Sequence, residues 1–518
     1  MAKVLDEHEI EAKAREYQER LRRELGLEDK SVDHFQRPFE RPWTKDQKAS
    51  TTLLWGGFPP THEHVVNEAM RGLGYNIRVL PCPDNESLAV GKEYGNRGQC
   101  NPTYYTVGNL VKYLKQLQAQ GEEDIEDRYV FVTAGACGPC RFGMYESEFR
   151  KALRDAGFER FRVLLFQQSG GLGQAPADSA LEINAQFALA LLKGIIIGDL
   201  LNSLASKIRP YEINRGDTDR VMEEAKKILG DRIREGASLF RGLRWVRKLF
   251  AEIKVDYTRV KPKVKITGEF WAQTTEGDGN YHMFRWLESE GAEVLVEPIG
   301  TWVEYLIWVA RQNAERRLPI DKSKKKSLRK IKVLEVAFRV WYNVYRWGLG
   351  FRTDSLPSQK KLAEYARAYY NPNLKGGEGH LEIAENIMAT KNKHAQMVMS
   401  LKPFGCMPST MSDGIQGRVV ADYKDAIFLP IETSGDAEIS VKSRTQMKLY
   451  EAKLRARQEV EDVLGKHHVT LNQVRDYVAK HPKYANAMQK LPHHHGIGTA
   501  ANFIAMVAPR IKRGSGAC

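Results

Sequence analysis

The sequence predicts an α/β protein built from parallel sheets in two similar domains. Four segments share one order: strand, Gly- or Pro-containing loop, helix or cysteine loop, then a second strand. Strands alternating with helices build parallel sheets. The first and third segments resemble each other closely enough to suggest an old duplication. Cysteine-bearing loops follow several of the predicted strands, where open α/β sheets bind their ligands.

The first segment reads as a strand over 51–58, a helix over 63–73, Gly74, and a strand over 76–81. The second has a buried strand over 129–134, a loop with Gly135, Cys137, Gly138, Pro139 and Cys140, a helix over 146–156 and a strand over 162–166. The third has a strand over 264–270, a helix over 281–290, Gly291 and a strand over 293–298. The fourth is looser: a strand over 395–401, the loop around Cys406, and a strand over 426–430. The resulting organisation is a helical N-terminal extension over 1–47, a first α/β domain over 48–250, a second over 251–445, and a helical C-terminal region over 446–518. The boundary between the α/β domains falls in the charged stretch 244–263.

At 518 residues with 42% hydrophobic composition, the chain can bury a core in each domain. Its formal charge of +14 suits an anionic cofactor or an acidic partner. No nucleic-acid motif accompanies that charge, so no nucleic-acid partner is expected. Six cysteines in a chain this long do not make a disulfide scaffold. Residues 1–27 are charged and helical rather than a secretory leader. The most apolar run, 188–201, is interrupted by Lys193 and Asp199 and reads as too short and too polar to span a bilayer. No membrane insertion is expected, and the expected location is cytoplasmic, where thiols stay reduced.

Five of the six cysteines sit in predicted strand-end loops. Cys137 and Cys140 form a CxxC pair, Cys100 lies in Gly98-Gln99-Cys100-Asn101-Pro102, and Cys406 lies in Pro403-Phe404-Gly405-Cys406-Met407-Pro408. Two thiolates in a CxxC can grip one metal centre, and an adjacent helix start favours their negative charge. On local sequence alone a dithiol redox pair, half a zinc site, an iron–sulfur site and inert buried cysteines all remain open. Loops around Cys100 and Cys406 are surplus to a dithiol exchanger. Structural zinc would usually show two short-range pairs, and only one is present.

The strings GQCNPTYYTVGNL, TAGACGPCRFGMYE, RPYE, GEF with EGDGNYHMFRWLESEGAEV, GEGHLEIAENI and KPFGCMPSTM span most of the chain. Together they resemble the 2-hydroxyacyl-CoA dehydratase / benzoyl-CoA reductase superfamily, and within it the branch of CoA-dehydratase-activase-related and double-cubane cluster proteins. The resemblance implies two Rossmann-like parallel-sheet domains with an iron–sulfur site in the cleft. It implies an oxidoreductase of anaerobic metabolism that receives electrons from a separate homodimeric ATPase activator with its own 4Fe–4S cluster. The chain has no phosphate-binding loop of its own, so no nucleotide is expected on it. A homodimer acting on a small-molecule substrate is the implied assembly. The reaction is expected to be ATP-dependent low-potential reduction. A 2-hydroxyacyl-CoA dehydratase subunit and a non-catalytic metal-binding scaffold are the alternatives.

Carried over to this sequence, the implied cofactor ligands are Cys100, Cys137, Cys140 and Cys406. A 4Fe–4S cluster needs about four ligands, and an 8Fe–9S double cubane about six. The larger count would require both Cys82 and Cys518, which are the further candidates. For Cys82 the alternative is a small buried residue at a strand end; Cys518 is the last residue. Glu269, with Glu276, Asp278 and Asn280, falls in the strand-to-helix loop of the third segment and is a candidate acid. His380 is a candidate proton donor. His493, His494 and His495 are weaker metal candidates. The basic stretch 322–332, followed by Trp341, Tyr342, Tyr345 and Trp347, reads as a solvated face over a packed helix or as a docking surface.

Overall fold

The computed structural model describes residues 7–25, 41–136, 138, 140–167, 178–374, 376–493 and 496–515. Met1–Arg41 and Pro42–Cys518 are separate compact units. In the first, Glu7–Glu24 is a helix. The second holds two four-stranded sheets, both parallel throughout. One consists of β1 (Thr52–Trp55), β2 (Ile77–Val79), β3 (Tyr129–Gly135) and β4 (Arg162–Gln167) in the order β2-β1-β3-β4. The other consists of β5 (Lys263–Gly268), β6 (Glu293–Leu295), β7 (Met397–Pro403) and β8 (Ile427–Thr433) in the order β6-β5-β7-β8. This is the α/β class that the alternating segments predict. The shared strand order agrees with the likeness between the first and third segments.

The strands form where β-branched and aromatic residues run together and both faces can be covered. In the first sheet successive residues part to opposite faces. Leu54 and Phe131 pack with Leu114 and Phe149 on one side. Leu53 and Val130 pack with Val66 and Met70 on the other. The second sheet is asymmetric. Val264, Ile266, Met399 and Leu401 pack with Met283 and Leu449. The alternate residues Lys263, Lys265, Thr267, Ser400 and Lys402 are also buried, giving that sheet a polar inner face.

Several boundaries depart from expectation. The third segment's strand ends at Gly268 rather than continuing to residue 270, and Glu269 caps a short helix, Phe270–Thr274. The helix expected over 281–290 is delayed. A 3-10 turn, Asp278–Asn280, comes first, Tyr281 and His282 take left-handed φ of 60° and 51°, and the helix runs Met283–Ser289. Half of the charged stretch 244–263 is helical, in Leu239–Glu252.

The expectation for the apolar run 188–201 is also corrected. It belongs to a helix, Ala185–Tyr211, that by length and composition is long and apolar enough to cross a membrane. Half of its most apolar window is buried inside the protein. Its Asp199 is 3% exposed and fully engaged. The carboxylate meets His62 Nε2 at 2.9 Å and accepts the backbone N–H groups of Ile299 and Gly300 at 2.7 Å each. Those two residues open the Ile299–Arg317 helix. A buried charge is tolerated where hydrogen bonds and a helix N-terminus satisfy it.

In a sheet of order 2-1-3-4 the chain reverses direction across the sheet between its first and third strands, and ligands bind beyond the carboxyl ends there. Here those strands are β1 with β3, and β5 with β7. Cys140 follows β3, Glu269 follows β5, and Cys406 follows β7.

Candidate functional site: the cysteine cleft

Cys100 and Cys406 each occupy the residue immediately before a long helix. Cys100 precedes Asn101–Ala119 and Cys406 precedes Met407–Asp422, both in extended backbone with a proline in the first turn. Proline suits that position because the amide it removes has no intrahelical partner. Cys140 stands before the 3-10 turn Arg141–Met144. Cys100 and Cys406 are buried and Cys140 is half-buried; all three are free. Cys137 and Cys518 lie outside the described residues.

The loops interlock. The Asn101 backbone N–H donates to the Phe404 carbonyl oxygen at 3.2 Å, and Asn101 Nδ2 donates to the Thr433 carbonyl oxygen at 2.8 Å. The Arg141 guanidinium donates to the Gly98 carbonyl oxygen. Gly405 has φ +75°, and a Cβ there would stand 3.4 Å from the Gln99 carbonyl oxygen and 3.5 Å from Cys100 Cα. Gly377 has φ +58°, and a Cβ there would stand 2.3 Å from the Pro408 ring. Glycine suits the left-handed backbone at both positions, and at Gly377 the close approach to Pro408 also excludes a side chain. Behind Cys100, the Glu148 carboxylate accepts from the Asn96 backbone and side chain and from Gln99 Nε2 at 2.8–3.2 Å.

The Cys100 sulfur lies 3.2 Å from Thr103 Oγ1 and 3.4 Å from the Tyr145 hydroxyl. Burial, followed by the negative charge of Glu378, pushes the Cys140 thiol up to about 12. Burial, with Glu269 and Glu378 beside it, pushes the Cys406 thiol up further still. Cys140 and Cys406 thus share the same two carboxylates, and Cys140 also senses Cys100.

Glu269 follows β5 and caps the Phe270–Thr274 helix. Its Oε2 accepts from the Ala272 backbone at 2.9 Å, and burial raises its carboxyl to about 7. His380 is in the fold's interior rather than among the thiols. It is 0% exposed, lies 4.9 Å from the Trp308 ring and 5.7 Å from the Tyr305 ring, and neither ring nitrogen has a protein hydrogen-bond partner among the described residues. Burial lowers its pKa to about 4, so it is neutral at pH 7.

Cys82 is exposed, so it is not the small buried residue considered as its alternative. Its neighbours also differ: partial burial of the sulfur, with Glu63, Glu276 and Asp278 nearby, raises its thiol to about 11. A Cβ on Gly277 would come 2.6 Å from its sulfur. Asp278 accepts the Asn85 backbone N–H at 2.9 Å, and Asn280 is fully buried, donating to the Ala272 and Thr275 carbonyl oxygens. Both have structural partners. Burial and nearby lysines lower His493 to about 4; His494 and His495 lie outside the described residues.

Sequence reasoning missed a second set of carboxylates. Glu378, Glu382 and Glu385 lie at helical spacing beside the Leu381–Lys391 helix, and all are buried. Their spacing is visible in GEGHLEIAENI, but acids on one helix face usually signal solvent rather than burial.

Among the described residues, no group of three or more His, Cys, Asp or Glu side chains is arranged to hold a metal ion. The donor type suits a soft metal centre, since the thiols of Cys100, Cys140 and Cys406 are free and lie on interlocked loops. Cys100 and Cys406 each stand at a helix N-terminus, and Cys140 stands before a 3-10 turn. Neutral thiols beside carboxylates would become thiolates on meeting a cationic centre. Neither a protein-family model nor a curated protein matches the chain.

Proposed function

We propose that this chain is the iron–sulfur, electron-accepting catalytic component of a two-component, ATP-dependent low-potential reductase acting on a small substrate. The observation that carries the reading is the interlocking of the Cys100, Cys140 and Cys406 loops at the carboxyl ends of β3 and β7. In this reading Cys100, Cys140 and Cys406, with Cys137, would hold a 4Fe–4S cluster, or with Cys82 and Cys518 as well an 8Fe–9S double cubane, and the cluster would supply one-electron reduction at low potential. The helix N-termini behind Cys100 and Cys406 favour the thiolates. Glu269, raised to about 7 by burial, both holds and releases a proton near pH 7.

The partner is a homodimeric ATPase carrying its own 4Fe–4S cluster. The chain works as a cytoplasmic homodimer in an anaerobic setting. The Lys324–Gly348 helix suits a partner surface. It buries Phe338, Tyr342 and Tyr345 but leaves Val333, Val336, Val340 and Trp347 exposed beside its basic start.

Mixing the anaerobically purified protein with such a reduced ATPase tests the reading. With ATP, the visible absorption of the protein is expected to bleach. An unchanged spectrum contradicts the proposal and favours a non-catalytic scaffold.

A further inference from the structure

The polar face of the second sheet meets the Leu381–Lys391 helix behind the cysteine loops. Thr267 on β5 donates to Glu385 Oε2 at 2.7 Å. Lys265, two residues earlier on the same face, pairs with Glu297, which also accepts from the Thr301 hydroxyl. Ser400 and Lys402 on β7 engage Glu382. Glu378 accepts the Phe270 backbone N–H at 2.8 Å, next to Glu269. Glu297, Glu378, Glu382 and Glu385 are each at most 9% exposed.

These carboxylates surround a cavity of about 20 Å³. That is room for one water, which requires about 10–15 Å³. Gln273 Oε1 also lines the cavity, is buried, and has no protein hydrogen-bond partner among the described residues. On its far side, Glu297 and Lys265 line an open cavity of about 760 Å³ with residues of both halves, among them Thr61 and Phe284. On its near side, Glu378 follows Gly377, whose backbone packs against the Pro408 ring two residues after Cys406.

We propose that Glu297, Glu385 and Glu378 form a proton-delivery route from the open cavity to the cysteine cleft. The inference rests on the reductase reading, in which each electron reaching the substrate is matched by one proton. Glu378 gives a proton toward the cleft, Glu385 restores it across the small cavity, and Glu297 takes a proton from cavity solvent and restores Glu385. The chain ends unchanged, and one proton has moved inward for each electron received from the partner. Burial and the Glu297 charge raise Glu385 to about 8, while Lys265 and Thr267 hold it down and Glu382 pushes it up. Such a carboxyl holds a proton at pH 7 and can release it. Glu378 and Glu382 are the other charged groups facing it, and Ser400, Ser412 and Lys402 hold Glu382 in place.

The test has two arms. In the first, the purified protein is mixed into D2O and the Glu385 carboxylic-acid C=O stretch, assigned by its loss in Glu385→Gln, is followed by infrared spectroscopy. Glu297→Gln is expected to slow its deuteration roughly a hundredfold, the scale on which a positioned proton carrier acts, while Glu385→Asp retains a fast-exchanging band. Equal exchange in wild type and Glu297→Gln, or no protonated Glu385 band at pH 7, overturns the route. In the second, a cathode, separated from its anode compartment, reduces the iron-loaded protein in a pH-indicator dye. Wild type is expected to take up protons along with electrons, and both Gln variants to delay proton uptake while keeping iron content and reduction rate. Undelayed uptake also overturns the route. Protein that binds no iron refutes the reductase reading instead, and the first arm still decides the route.

Discussion

The backbone N–H of Asn101, the residue after Cys100, donates to the carbonyl oxygen of Phe404, two residues before Cys406, at 3.2 Å. Two cysteines some three hundred residues apart in sequence are thereby held by main chain rather than by flexible side chains. The Asn101 side chain adds a second link, to the Thr433 carbonyl oxygen at 2.8 Å. Asn101→Ala removes that link, while the Thr433 carbonyl oxygen keeps the Phe404 backbone N–H at 3.0 Å, so the cost is about 0.5–1.5 kcal/mol. Urea unfolding with iron analysis checks this. Lower stability and iron retention together are expected; lower stability with full iron retention would show that the site does not depend on the interlock.

Gly405→Ala places a side chain in left-handed backbone at φ +75° and against the Gln99 carbonyl oxygen. The backbone alone costs about 1–2 kcal/mol. The strain falls on the Cys406 loop, so iron uptake is expected to drop along with the melting temperature. Iron per chain, measured beside a thermal melt, gives the comparison.

Asp199→Ala leaves His62 and the first amides of the Ile299–Arg317 helix without their buried acceptor. Breaking one side of such a buried network costs about 3–5 kcal/mol. Asp199→Asn keeps an acceptor and is expected to cost less. A denaturant series on both variants checks the order.

Stability is expected to fall as pH rises from about 4.5 to about 8. The Glu385 carboxyl is raised from its ordinary 4.5 to about 8 by burial, then by the Glu297 charge. In that window the folded chain keeps a proton that the unfolded chain has released, so the stabilisation is full below 4.5 and is lost as pH passes 8. A shift of that size corresponds to on the order of 5 kcal/mol across the whole window. Chemical denaturation between pH 5 and pH 8 is expected to show the decline, and a shallower one in Glu385→Gln.

The parallel sheets were legible because strands such as β3 are short apolar runs between glycine-rich loops and helical segments. The loops of Cys140 and Cys406 were legible as strand ends because proline and glycine mark where strands end and helices start; the expected strand-end loop of Cys100 instead joins two helices, Asn85–Tyr94 and Asn101–Ala119. The interior of the second sheet was not. Lys263, Lys265 and Lys402 in a strand read as exposure, yet each meets a buried carboxylate supplied by a distant segment: Glu293, Glu297 and Glu382. No local pattern announces such a pairing. The delayed helix after Asn280 was hidden for another reason: left-handed Tyr281 and His282 are held by tertiary packing, with the Tyr281 hydroxyl accepting from the Ser434 and Gly435 amides. His380 shows the converse limit, a histidine in a motif that the fold places among aromatic rings.

Iron, zinc and acid-labile sulfide per chain in anaerobically purified protein test the central claim most directly, with Cys100→Ser and Cys406→Ser alongside. The cluster reading predicts iron and sulfide in equal or nearly equal amounts, about four or about eight irons per chain, and their loss in both variants. Zinc without sulfide, or iron retained in both variants, would contradict it.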